Sequence, residues 1–275
     1  MTKVIEVDRS FKVWWHLMRP HTLTASFVPV FLGTTIALTT EGQLINLPLF
    51  FAMLVASILI QAATNMFNEY YGYKLGLNHE HSVGIGGTIV RHGVAPRTIM
   101  AIALSFYGVA LLLGIYICAM SSWSLAAVGL VCMLIGYFYT GGPYPIAYSP
   151  FGELVSGTVM GMGMVLIAFF IQTKTITLEA VLLAVPSMIL VGAIMLSNNI
   201  RDIVGDKDDG RKTMAILVDR HNAIYILSFF FIISFSSHIV FLYTIRVLFV
   251  IIQHIYARGQ WGITKSVILN GKNID

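Results

Sequence analysis

Charge is scarce in this chain: Asp, Glu, Lys and Arg together make up 11% of its 275 residues, against roughly 25% in an average soluble domain. That scarcity excludes a large water-soluble core. Cysteine is nearly absent too. Cys118 and Cys132 both fall inside apolar runs and at no metal-type spacing, so they read as small apolar side chains. Long stretches of alternating apolar and polar residues are missing, which argues against a membrane β-barrel. No charged or Pro/Gly-rich linker divides the chain, and a single domain over residues 1–275 is expected. A cleavable leader is not expected either. The first twenty-one residues are polar and basic, and the apolar run that follows is long enough to span a bilayer.

What the chain does have is apolar sequence, 57% of its residues, with a mean hydropathy of +0.80. A spanning helix needs roughly 20 mostly apolar residues. Seven segments qualify, near 22–40, 47–67, 98–120, 123–140, 154–172, 179–197 and 223–245. The fold class is therefore all-α, a multi-pass transmembrane helical bundle. Lys and Arg concentrate in the N-terminal arm, in the loop between the second and third spans and in the loop after the sixth; the opposite loops carry only Lys174. By the positive-inside bias those basic regions face the cytoplasm, in the cell (plasma) membrane. The pI near 9.0 then reflects topology and an anionic ligand, with no nucleic acid implied.

Two polar segments interrupt the apolar sequence, both at ends of expected spans: NMFNEYYGYKLGLN at 65–78 and NNIRDIVGDKDDGRKT at 198–213. If the first continues its helix, Asn65, Asn68, Glu69 and Gly72 share one face at i, i+3, i+4 and i+7. In the second, Asn198, Asp202, Asp206 and Asp209 form another stripe. Mg²⁺ takes one or two carboxylates plus substrate phosphates, and amide oxygens suit it as well. The competing reading is a solvated loop of mixed charge. It is weaker for the second segment, because amides deep in a helix end are costly without partners. Arg201, Arg211 and Lys212 beside the acids suit either ion pairing or diphosphate binding. Loops 68–97 and 199–222 are long for a helical bundle. GIGGTIVRHG at 84–93 reads as a connector, or as backbone N–H groups approaching an anion. His79 and His81 flank Glu80 and read as loop histidines. Tyr139 ends the fourth span and could stabilise a cation. Each half has a span ending in Asn-rich, acidic sequence, an echo that suggests two facing halves.

Five strings in order, RPHTLTASFVPV (19–30), QAATNMFNEYYGYKLGLN (61–78), HEHSVGIGGTIVR (79–91), YTGGPYPIAYSPFGE (139–153) and NNIRDIVGDKDDGRKT (198–213), resemble the UbiA superfamily of intramembrane prenyltransferases. The likeness covers 14–224 and is nearest to the branch that prenylates 1,4-dihydroxy-2-naphthoate for menaquinone. The resemblance implies a Mg²⁺-dependent transferase. A polyprenyl diphosphate donor and 1,4-dihydroxy-2-naphthoate would be its substrates, membrane lipid its surroundings and demethylmenaquinone its product. It implies catalytic roles for Asn65, Asn68, Glu69, Asp202 and Asp206. Metal ligation falls to Asn68, Glu69, Asp202, Asp206 and Asp209, and phosphate or cation contacts to Arg91, Arg201, Arg211, Lys212 and Tyr139. Gly72 and Asn78 stand where the family carries Asp, which predicts weakened metal binding on that side. The family has about nine spans, and residues 225–275 read as a divergent or truncated end. The alternatives are a catalytically impaired homologue, a prenyltransferase for another acceptor such as 4-hydroxybenzoate, and, least favoured, a transporter, which would carry ionisable residues mid-membrane.

Overall fold

The computed structural model describes residues 11–42, 44–77 and 87–237. These residues are helical almost throughout, and no strand occurs among them. The chain divides into two units, 1–231 and 232–275. The described helices are α1 (Phe11–Met18), α2 (Thr24–Thr40), α3 (Leu47–Lys74), α4 (Thr88–His92), α5 (Pro96–Met120), α6 (Ser124–Phe138), α7 (Gly152–Thr173), α8 (Leu178–Asp208) and α9 (Met214–Ser237). Five of them, α3, α5, α7, α8 and α9, are long and apolar enough to cross a membrane, and α2 and α6 are shorter apolar helices. This is a multi-pass membrane protein.

The expected spans fall on these helices, with informative differences. α3 has 28 residues and α8 has 31. At 1.5 Å per residue they measure about 42 and 46 Å, against a hydrocarbon core of about 30 Å. Both therefore carry their polar segments outward as helix, and only residues 209–213 separate α8 from α9. Extending a formed helix adds one hydrogen bond for each residue fixed, so polar side chains beyond the lipid do not end it. Helix α1 lies in the arm that reads as merely polar and basic. Its sequence FKVWWHLM buries Val13 and Leu17 at i and i+4, and leaves Phe11 and Trp15 exposed and stacked at 6.0 Å. α4 likewise forms within the first expected loop. The seventh expected span starts earlier, at Met214. Residues Asn78, His79, Glu80, His81 and the tail 246–275 lie outside the described residues.

In lipid, apolar burial does not drive helices together; close packing and hydrogen bonds do. Small residues supply the closeness. A Cβ on Gly33 of α2 would sit 2.2 Å from the Val165 carbonyl oxygen of α7. On Gly157 and Gly161 it would sit 2.5 Å from the Met188 oxygen and 2.6 Å from the Met188 Cα of α8. Residues Gly157–Gly163 wind as a π-turn inside α7, a widening that recurs at functional sites. The Gly157 and Gly161 contacts hold the π-turn of α7 against the middle of α8. At the other polar end, Met66 and Phe67 of α3 pack with Val13, Leu17, Ile89, Ile99 and Ala103.

Candidate functional site

The end of α8 presents its polar stripe to one cavity. Asn198, Asn199, Asp202, Asp206, Asp208 and Asp209 all line it. Gly210 follows with φ +74°, the left-handed conformation in which glycine ends a helix. The turn brings Arg211 back over the helix. Its Nη1 lies 3.0 Å from Asp206 Oδ1, and its guanidinium stacks 4.4 Å from the Tyr148 ring centroid. The Arg211 backbone N–H donates to the Asp206 carbonyl and the Lys212 N–H to that of Tyr148, each at 2.9 Å. Arg201 forms a bidentate pair with its neighbour Asp202, Nε to Oδ1 at 2.8 Å and Nη2 to Oδ2 at 2.7 Å. That pair is partly exposed, so it contributes little to stability and is free to exchange for a ligand.

The end of α3 is arranged differently. Asn65 and Asn68 line the cavity; Glu69 and Gly72 are buried and do not. Asn65 Nδ2 donates to the Met18 carbonyl at 2.8 Å and to Thr22 Oγ1 at 2.9 Å. A carbonyl only accepts, so the amide orientation is forced and its oxygen is the group left for the cavity. Glu69, expected on metal, binds backbone instead. The Gly87 N–H donates to Oε1 at 3.0 Å and to Oε2 at 2.9 Å, and the Ile89 N–H donates to Oε1 at 3.0 Å. Gly87, at φ +102°, is the residue that begins α4. The glycine-rich stretch thus does offer N–H groups to an anion, and that anion is the chain's own Glu69.

Of the other expected residues, Tyr139 lines the cavity and donates to the Gly152 carbonyl at 3.3 Å. Burial raises its phenol pKa, and the Glu153 charge adds to the rise. Burial likewise raises that of Tyr148, partly offset by Arg211. Arg91 and Lys212 are exposed and stand outside the cavity lining. Sequence reasoning did not single out Arg19, Arg220 or Glu153. Arg19 lines the cavity from a left-handed backbone conformation, φ 51°. Burial lowers its guanidinium pKa, Glu69 and Asp202 oppose that drop, and it stays charged. Arg220 also lines the cavity and donates to the Ile200 carbonyl at 3.0 Å. Glu153 is an acid at the head of an apolar run, a signal open to a reader of the sequence.

The cavity has a volume of about 940 Å³. Its mouth holds these oxygen donors and cations, and its deeper walls are apolar, among them Leu111, Ile115, Leu130, Met133, Met160 and Ile194. Among the described residues no cluster of three or more His, Cys, Asp or Glu side chains converges as a ready-made metal cage. Mg²⁺ needs none, since it binds through one or two carboxylates with water and phosphate completing its shell. Asp202, Asp206, Asp209 and Asn68, all hard oxygen donors on one cavity, fit that requirement.

The profile of the UbiA prenyltransferase family matches residues 26–265, running past residue 224 into the segment read as divergent. A 1,4-dihydroxy-2-naphthoate octaprenyltransferase of Bacillus subtilis (strain 168) is 58% identical over 224 residues, covering 82% of this chain and 71% of the relative. UbiA prenyltransferase domain-containing protein 1 of Xenopus tropicalis is 32% identical over 204 residues, 73% of this chain and 58% of the relative, so the chain spans little more than half of that protein. A UbiA homologue from Archaeoglobus fulgidus, solved bound to DMAPP and Mg²⁺, superposes with a TM-score of 0.59 at 17% identity over 82% of this chain and 75% of that one. With its helices, its facing polar helix ends and this likeness along most of its length, the chain belongs to the UbiA prenyltransferase family.

Proposed function

We propose that this protein transfers a polyprenyl group from an isoprenoid diphosphate to 1,4-dihydroxy-2-naphthoate, with loss of the acceptor's carboxylate, giving demethylmenaquinone. The observation that carries this reading is the 58% identity to the Bacillus subtilis octaprenyltransferase over 82% of the chain. The cavity supports it, with oxygen donors and cations at its mouth and apolar walls behind.

Asn68, Asp202, Asp206 and Asp209 would hold Mg²⁺. That ion would supply positive charge to the departing diphosphate. Arg19, Arg201 and Arg211 face the same anion and stabilise the charge that grows as the allylic C–O bond breaks. Arg suits this through its planar fork of donors. The apolar walls accommodate the prenyl chain and keep water from the allylic cation. Tyr139 offers its ring to that cation, and the electron-rich naphthoate attacks it. In keeping with the distribution of Lys and Arg, the cavity mouth faces the cytoplasm, and the membrane is the plasma membrane.

The test is direct. Membranes containing the protein receive a prenyl diphosphate and 1,4-dihydroxy-2-naphthoate, with Mg²⁺ or with a chelator. Prenylated product forms only with Mg²⁺; its absence under both conditions overturns the reading. Gly72 favours a refinement, a catalyst weakened on the α3 side. Gly72→Asp adds a carboxylate one turn beyond Asn68, and it raises the Mg²⁺-dependent rate about tenfold if that missing ligand limits turnover. An unchanged rate removes the refinement and leaves the main proposal standing.

A further inference from the structure

Glu153 is the most conspicuous ionisable residue that the proposed chemistry leaves without a role. It lies in the first turn of α7, outside both polar segments, and is 2% exposed. Its Oε1 accepts a hydrogen bond from Asn199 Nδ2 at 2.8 Å. Its Oε2 is buried with no hydrogen-bond partner among the described residues. Leaving a carboxylate oxygen in that condition is unfavourable, so a search for fold stability alone would replace this residue with an apolar one. Glycine packing holds it in place. A Cβ on Gly192 of α8 would sit 3.3 Å from the Glu153 carbonyl oxygen, and the Gly157 and Gly161 contacts with Met188 bar any slip between α7 and α8.

Asn199 is the residue that gains from this. It lines the cavity one turn before Ile203 and three residues before Asp202. A free asparagine can turn either its N–H₂ or its oxygen towards a ligand. The Glu153 Oε1 accepts from the Asn199 N–H₂, and that leaves the amide oxygen for the cavity.

We propose that Glu153 is a positioning residue: it locks the Asn199 amide so that the cavity meets a carbonyl oxygen, which makes Asn199 an oxygen donor to a magnesium–diphosphate ligand and not an N–H donor to phosphate. The inference rests on reading the cavity as a magnesium–diphosphate site. Asn65 carries the same device on α3, its N–H₂ held by Met18 and Thr22. The two helix ends thus share one trick, built from unrelated partners.

The experiment uses the full chain in detergent with Mg²⁺ and inorganic pyrophosphate as the probe, read by calorimetry and by the ligand-induced rise in the unfolding midpoint. Asn199→Asp places two carboxylates in contact, and although Asp is intrinsically the better metal ligand, binding weakens about tenfold or more. Glu153→Gln keeps an oxygen facing Asn199 Nδ2, and binding stays within about threefold of the parent. The pair Glu153→Gln with Asn199→Asp restores the hydrogen bond with its direction reversed, and recovers binding to within about threefold of the parent. A structural role for Glu153 would not produce that rescue. The inference is overturned if Asn199→Asp binds as well as the parent, or if the double variant binds no better than Asn199→Asp. Should Asn199→Asp fail to fold, the decision passes to Glu153→Leu and Asn199→Ala: together they weaken binding no more than Asn199→Ala alone, and additive losses overturn the idea. Asp202→Ala separates the two levels. If it leaves magnesium–pyrophosphate binding intact, the reading of the cavity falls; if it abolishes binding while the swap fails, only the role of Glu153 falls.

Discussion

The polar ends of α3 and α8 look alike as sequence and behave differently in the fold. α8 turns a run of carboxylates, Asp202, Asp206, Asp208 and Asp209, towards the cavity and balances them with Arg201 and Arg211. α3 turns amides there, Gln61, Asn65 and Asn68, and commits its carboxylate, Glu69, to the start of α4. One end concentrates charge where a ligand would sit. The other uses its polar groups to fasten the arm before α2 and the return of the chain at Gly87. Similar composition at two helix ends is thus compatible with one serving chemistry and the other mainly architecture.

The comparison can be broken most forcefully at α8. Asp202→Ala or Asp206→Ala lowers product formation in membranes by about a hundredfold or more, whereas Asn68→Ala lowers it by about tenfold. Equal losses at the two ends would erase the asymmetry. Glu69→Gln comes next. It leaves magnesium–pyrophosphate binding within about threefold of the parent and lowers stability by about 1–3 kcal/mol, because buried backbone donors at Gly87 and Ile89 lose part of their acceptor. It is measured as a fall in unfolding midpoint in detergent. A large loss of ligand binding with an unchanged midpoint would return Glu69 to the metal. The smallest effect is expected just past α8. Asp219 sits at φ +67° within α9, a conformation that disfavours any residue with a Cβ. Asp219→Gly raises stability by up to about 1 kcal/mol with ligand binding unchanged. A drop in stability would mean that the carboxylate makes a compensating contact.

Much of this was legible beforehand, for physical reasons that differ by region. The membrane helices show themselves because lipid demands uninterrupted apolar length. The α8 stripe shows itself because acids at i+4 and i+8 share one helix face beside amides deep in the helix end, which makes a solvated mixed-charge loop the weaker reading. The α3 stripe misleads at Glu69. A spacing rule places a side chain on a face, yet it cannot see the start of α4, 18 residues further along, fold back to claim the carboxylate. α1 escapes notice because eight residues give too short a period against a basic background. Arg19 and Glu153 come from separate strings, and only the packing of the arm on α3 and of α7 on α8 brings the first to the cavity and the second against Asn199 on its wall.

The π-turn at Gly157–Gly163 joins two faces of α7 that an unbroken α-helix would aim elsewhere. The segment before it meets α8 through Glu153, and the segment after it meets α2 through Val165. Rewound as ordinary α-helix with no residue lost, this stretch would swivel its two halves by about 100° relative to each other. The bundle would retain every turn of hydrogen bonding and nonetheless lose one of those two interfaces, so this short stretch is where the reading frame of the helix, more than its composition, decides what the protein can bind.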